Sequence, residues 1–110
     1  MAQKPSIQRV SLKDLRKVFN SEIRPGIDSG VFLEMVISAA PPAPKYGEPQ
    51  GTLSQMVEYW APAHDGATME KVALIHRFLR PDGTLGASGK PDPKRVLYDG
   101  TLYLLAKKKG

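Results

Sequence analysis

Apolar positions recur along this chain in two rhythms, one of helical period and one of strand period. Leu12, Leu15, Val18, Phe19 and Ile23 form a helical stripe, with Lys13, Arg16, Lys17 and Asn20 largely on the other side. Ser11 stands where a side-chain oxygen can cap free backbone N–H groups, and Asp14 favours the positive end of the helix dipole. Arg24-Pro25-Gly26 reads as the stop, because proline biases its predecessor away from helix. The spacing predicts a helix over 11–23.

Asp28-Ser29-Gly30 is turn chemistry, and Val31 to Ile37 is a short β-rich apolar run interrupted only by Glu34. Such a run suits a strand buried on both faces, and a short helix is the alternative for 31–37. Residues 39–51 contain four prolines and two glycines and predict a proline-rich surface loop. Leu53, Met56, Val57 and Trp60 fit helical spacing, with Thr52 as a cap. A second helix is favoured over 52–60, although Val57-Glu58-Tyr59-Trp60 also suits a strand. Trp60 is assigned to the core.

Beyond Pro62 the period changes to that of sheet. Val72 to Leu79 reads as a strand closed by the turn Arg80-Pro81-Asp82-Gly83. Arg95 to Tyr98 and Thr101 to Leu105 flank Asp99-Gly100, a pair suited to a type I′ hairpin turn. Asp-Gly-Thr-Leu occurs at 82–85 and again at 99–102, a hint of successive hairpins. The expected fold is α+β: an N-terminal helix plus a second helix packed on a small antiparallel β-sheet with C-terminal hairpins. It is expected to be one domain over 1–110, with 1–9 and 107–110 frayed.

Composition narrows the chemistry. Cysteine is absent, which removes disulfides, zinc–thiolate sites and thiol catalysis. No apolar run approaches the length of a membrane span or a signal-peptide core, so the expectation is a cytoplasmic protein without a membrane partner. The net charge of +5 is unevenly placed: +4 over 1–24, −4 over 25–66 and +5 over 67–110. If the basic ends meet in space they form a face that attracts polyanions.

Arg77, Arg80, Lys90, Lys94, Arg95 and the terminal lysines are the candidate phosphate contacts, with Tyr98 and Tyr103 near enough in sequence to stack on bases. His76 is the candidate catalytic group, since imidazole changes charge near neutral pH. His64, Glu58, Glu70 and Arg80 offer the other residue types of a metal-independent ribonuclease. In a strand over 72–79, His76 shares a face with Val72, Leu74 and Phe78, and Arg77 points the other way with Ala73, Ile75 and Leu79.

The two histidines lie twelve positions apart without ligand spacing, so no metal is expected. The segment Gly83 to Lys90 departs from a nucleotide-binding loop at both ends, with Thr84 for its first glycine and Pro91 for its magnesium-binding hydroxyl. No cofactor is expected. Three functions follow in order. The first is a small basic accessory protein that binds nucleic acid through its C-terminal half. The second is a protein-interaction module, a subunit or inhibitor, that uses the acidic middle or an exposed sheet edge. The third is a toxin-like ribonuclease centred on His76.

Overall fold

The computed structural model describes residues 5–86 and 89–106; the expected frayed tails at 1–4 and 107–110, and the terminal lysines, lie outside them. Ser11 does cap the helix: the Asp14 N–H donates to Ser11 Oγ at 3.2 Å. The helix then runs as α1 (Leu12–Val18), a π-helical turn (Phe19–Ile23) and α2 (Arg24–Asp28). It therefore passes through Pro25, where the sequence predicts a stop.

The π-helical turn explains the continuation. Its wider winding lets the Arg24 N–H reach back to the Phe19 carbonyl. Pro25 then falls in the first turn of α2, where a missing N–H costs little and the fixed φ suits the helix. Leu15, Phe19 and Ile23, the predicted stripe, are fully buried. Gly26 lies against the Phe32 ring, which closes the turn after the helix: a Cβ placed there would meet ring carbons at 2.5 Å.

Six strands follow the order β1-β6-β5-β4-β3-β2 in one sheet. They are β1 (Ser6–Val10), β2 (Leu33–Ala40), β3 (Leu53–Pro62), β4 (Met69–Leu79), β5 (Asp92–Tyr98) and β6 (Thr101–Leu105). The fold is α+β as expected, with two corrections to its detail. The sheet is mixed, because β1 pairs with β6 in parallel while the other neighbours are antiparallel. The second helix does not form, since 52–60 belongs mostly to β3.

In β3, long antiparallel pairing with β4 overrides the helical spacing of Leu53, Met56, Val57 and Trp60. The alternation of buried Gln55, Val57 and Tyr59 with half-buried Ser54, Met56, Glu58 and Trp60 records the outcome. Residues 6–9, expected to fray, lie in β1, which pairs with β6. The Asp99-Gly100 hairpin is as predicted, with both residues at positive φ, as a type I′ turn requires.

The helix packs over β4, β5 and β6, and the core lies between them: Leu15, Phe19 and Ile23 against Ile75, Val96 and Ala73. Paired residues share a face, so the register divides every strand. Gln55, Val57 and Tyr59 of β3, Ala73, Ile75 and Arg77 of β4, Val96 of β5 and Tyr103 of β6 face the helix side. Val72 also joins that core, because a bulge opposite Tyr59 and Trp60 leaves it outside the alternation and away from His76.

Replacing Gly26 with alanine should force the Phe32 ring to move and lower stability by about 1–3 kcal/mol, the usual cost of overpacking. Denaturant unfolding of Gly26→Ala beside the parent measures it, and an unchanged midpoint would contradict the packing described.

Candidate interaction face

No helix or strand crosses the second face of the sheet among the described residues. Its side chains fall into rows that follow from the register. One row is made of two register-linked segments, Ile7, Leu102 and Leu97 on β1, β6 and β5 and Lys71, Trp60 and Leu33 on β4, β3 and β2. The next runs Arg9, Leu104, Arg95, Leu74, Glu58 and Met35. The first is apolar except for Lys71, and the second alternates charge with leucine or methionine. Trp60, assigned to the core from sequence, is instead half-buried on this open face, its Nε1–H donating to Glu58 Oε1 at 3.2 Å.

Exposure is greatest at the two rims of the face. Ile7 on β1 is 65% exposed, and Leu33 and Met35 on β2 are 52% and 45%. All eight residues of β2 are exposed, including Val36 and Ile37. The apolar run at 31–37 was expected to be buried on both faces; it is mainly a strand, but an edge strand beyond the reach of the helix. β2 is the last strand of the order, which leaves one side of it unpaired within the described residues, and a bulge at Ile37 interrupts its ladder with β3 on the other.

Near one end, Tyr46 from a 3₁₀ turn (Pro44–Tyr46) in the proline-rich loop packs on Phe78 at 5.1 Å between ring centroids. Phe78 in turn meets the His76 ring edge-on at 4.7 Å. His76 Nε2 and Ser54 Oγ share a hydrogen bond of 2.7 Å. Burial, and then the Lys94 ammonium, hold the His76 imidazole below its ordinary pKa of 6.5, with Asp92 opposing them. The shift favours the neutral ring.

The ribonuclease set does not gather around it. Glu58 shares the open face but bonds Lys71 Nζ at 3.1 Å. Glu70 lies opposite Ala61 toward the far end of β4, and His64 sits in the turn after β3. Arg80 lies past the end of β4 and pairs with Glu48 Oε1 at 2.8 Å.

The predicted phosphate contacts are likewise dispersed. Arg77 faces the helix side, donating to Gln55 Oε1 at 2.9 Å and Glu34 Oε1 at 3.2 Å. Arg95 is on the open face, opposite Leu74 and Leu104. Lys94 is exposed at a bulge of β5, and Lys90 is exposed in the turn before it. Tyr98, at the other end of β5, hydrogen-bonds Glu22 of the helix, which raises its pKa.

On the helix side, Glu34 and Arg77 join Tyr59, Phe19, Ile27 and Arg24 around a shallow cleft of about 190 Å³. The Tyr59 hydroxyl donates to Glu34 Oε2 at 3.0 Å, and burial together with that carboxylate pushes it up to about 12. Arg24 pairs with Asp28 at 3.6 Å. The charged groups lining the cleft thus bond one another, and its volume is below the several hundred Å³ usual for a ligand pocket. Among the described residues no three His, Asp or Glu side chains converge to hold a metal ion, and no helix is long and apolar enough to cross a membrane. The chain matches no protein-family model, no curated protein and no solved structure.

The residues that sequence reasoning passed over as site residues are those of the open face: Ile7, Arg9, Leu97 and Met35. A signal for them exists in β6, where Leu102 and Leu104 alternate with Tyr103 and Leu105. A strand apolar on both sides is one with a layer on each.

Two titrations test this geometry. Proton NMR should find His76 titrating below 6.5, and Lys94→Ala should raise it. Because the folded state favours the neutral ring, its stabilisation is complete above 6.5 and is lost as pH falls through the depressed value. Tyrosinate absorbance should show a last phase near pH 12 that is missing in Tyr59→Phe. The fold favours the neutral phenol, so this contribution is complete below pH 10 and is lost as pH rises toward about 12.

Proposed function

We propose that this chain is a protein-interaction module, a non-catalytic subunit or inhibitor that docks through the open face of its sheet out to β2. The observation that carries this is the apolar row Ile7, Leu102, Leu97, Trp60 and Leu33, interrupted only by Lys71 and facing away from the helix. A sheet face of that composition is ordinarily buried under a second layer, and a large exposed apolar patch marks an interaction site. Further support comes from β2, whose composition suits burial on both sides while its residues are exposed.

A nucleic-acid accessory function draws less support from this geometry. Arg77, Arg80 and Lys71 are paired with Glu34, Glu48 and Glu58, and Arg95 and Arg77 face opposite sides of the sheet. Such pairing lowers the phosphate-binding capacity of the basic residues.

The purified chain should bind anilinonaphthalene sulfonate and enter discrete larger assemblies that survive nuclease and physiological salt. Leu74→Arg at the centre of the face should suppress both, whereas Lys94→Glu should leave them intact. A monomer that binds neither dye nor protein, but holds RNA or duplex DNA with an affinity falling steeply with salt, would replace this function by phosphate reading.

A further inference from the structure

We propose that the free edge of β2 pairs antiparallel with β2 of a second copy of this chain. The two-fold axis stands perpendicular to the sheet, and two six-stranded sheets join into one. The inference goes beyond the docking function above, because it uses the strand edge and leaves the open face uncovered.

An edge specifies its partner in a way that a face does not. Its outward N–H and C=O groups are unpaired, and another extended backbone satisfies them in series. The two edges of this sheet differ. β1 is five residues long and carries Ser6, Gln8 and Arg9, a short, charged edge of the kind that discourages pairing. β2 is eight residues long, has no lysine, arginine or proline, and is exposed throughout. Its one charge, Glu34, is bonded within the chain by Tyr59 and Arg77. Pro41 follows directly and ends the ladder, since it has no N–H to donate.

The bulge at Ile37 makes β2 complementary to itself. Pairing with β3 places Leu33, Met35, Ser38 and Ala40 on the open face, beside Trp60, Glu58, Met56 and Ser54. Glu34, Val36 and Ala39 fall on the helix side, beside Tyr59, Val57 and Gln55. Two copies related about the point between Val36 and Ile37 then set Leu33 opposite Ala40, Met35 opposite Ser38 and Glu34 opposite Ala39. Each of these pairs shares a face. In a strand of unbroken alternation the same midpoint would bring opposite faces together, and the extra residue at the bulge removes that conflict.

Size agrees with register. Leu33, Glu34 and Met35 lie at one end of β2, and Ser38, Ala39 and Ala40 at the other. Antiparallel pairing therefore sets each of the three large side chains against a small one, and no two glutamates meet. Face match and taper together point to β2 of a second copy as the strand that fits.

The absence of cysteine makes this register readable by cross-linking. Met35→Cys chains mixed with Ser38→Cys chains should form a disulfide-linked dimer on mild oxidation. Neither variant alone should do so, because its thiols lie three positions out of register. Light scattering should show the parent as a dimer. Leu33→Lys with Ala40→Lys should weaken that dimer about tenfold, since like charges then stand directly opposite, with circular dichroism unchanged. Mixing it with Leu33→Glu plus Ala40→Glu chains should restore the dimer.

A parent chain that stays monomeric, or thiols that link equally in either variant alone, would overturn the inference. So would a dimer lost in Leu74→Arg but indifferent to the β2 variants, which would place the second copy on the open face. Leu74→Arg should instead leave the dimer intact and stop only the assemblies larger than it. The two readings fail separately. A monomer whose face still captures dye and a foreign protein ends the edge pairing and keeps the docking function. An edge-linked dimer that captures neither ends the docking function and keeps the edge pairing.

Discussion

One helix cannot cover a sheet of six strands, and most of this structure follows from that mismatch. An α-helix with its side chains is about 10–12 Å wide, whereas six strands span nearly 30 Å. The stripe Leu15, Phe19 and Ile23 therefore packs on β4 to β6, and the core it forms extends only as far as Val57 and Tyr59 of β3. The edge β2 remains exposed on both sides, and the opposite face has no second layer from the described chain. The π-helical turn helps the helix to its full length by carrying it past Pro25. Even so, length along the strands does not supply width across them.

Electrostatics answer to the same topology. The acidic middle and the basic C-terminal segment are separated in sequence, but the β2-β3-β4 meander sets them side by side. Glu34 meets Arg77, Glu58 meets Lys71, and the loop residue Glu48 reaches Arg80. Glu48 is the most enclosed of these carboxylates, with its side chain 4% exposed. It packs against Gly86, where a Cβ would come within 2.5 Å of its oxygen. Much of the segmental charge seen along the chain is thus consumed within the fold. What persists on the open face is the exposed Arg9 toward the β1 rim, while Glu58 on β3 is bonded to Lys71 and Trp60.

The polar pairs separate into two kinds by their surroundings. Tyr59, Glu34, Arg77 and Gln55 form a connected group on the helix side, where the protonated Tyr59 hydroxyl and the Arg77 guanidinium both donate to the Glu34 carboxylate. Such a group fixes the register of β2 against β3 and β4, because a slip by one residue would turn Glu34 to the other face. Ser54 and His76 form a smaller pair on the open side, beneath the aromatic contact of Phe78 and Tyr46. A neutral imidazole sharing a hydrogen bond with a serine satisfies both groups where burial penalises charge.

Local physics alone determined the helix start, its buried stripe, the strand at 72–79 and the Asp99-Gly100 hairpin. Each depends on neighbours a few residues away: a cap oxygen, a 3.6-residue period, or a pair of residues that tolerate positive φ. Alternation also placed His76 and Arg77 on opposite faces correctly, except where a bulge moved Val72. The sequence left 52–60 ambiguous because Leu53, Met56, Val57 and Trp60 satisfy a helical pattern while β4, far along the chain, offers a ladder. Only tertiary structure decided that β1 joins β6 in parallel and that β2 ends at the rim, since strand order is a property of long-range pairing. For the same reason the apolar run at 31–37 shows that its residues favour burial, but not that the helix stops short of them.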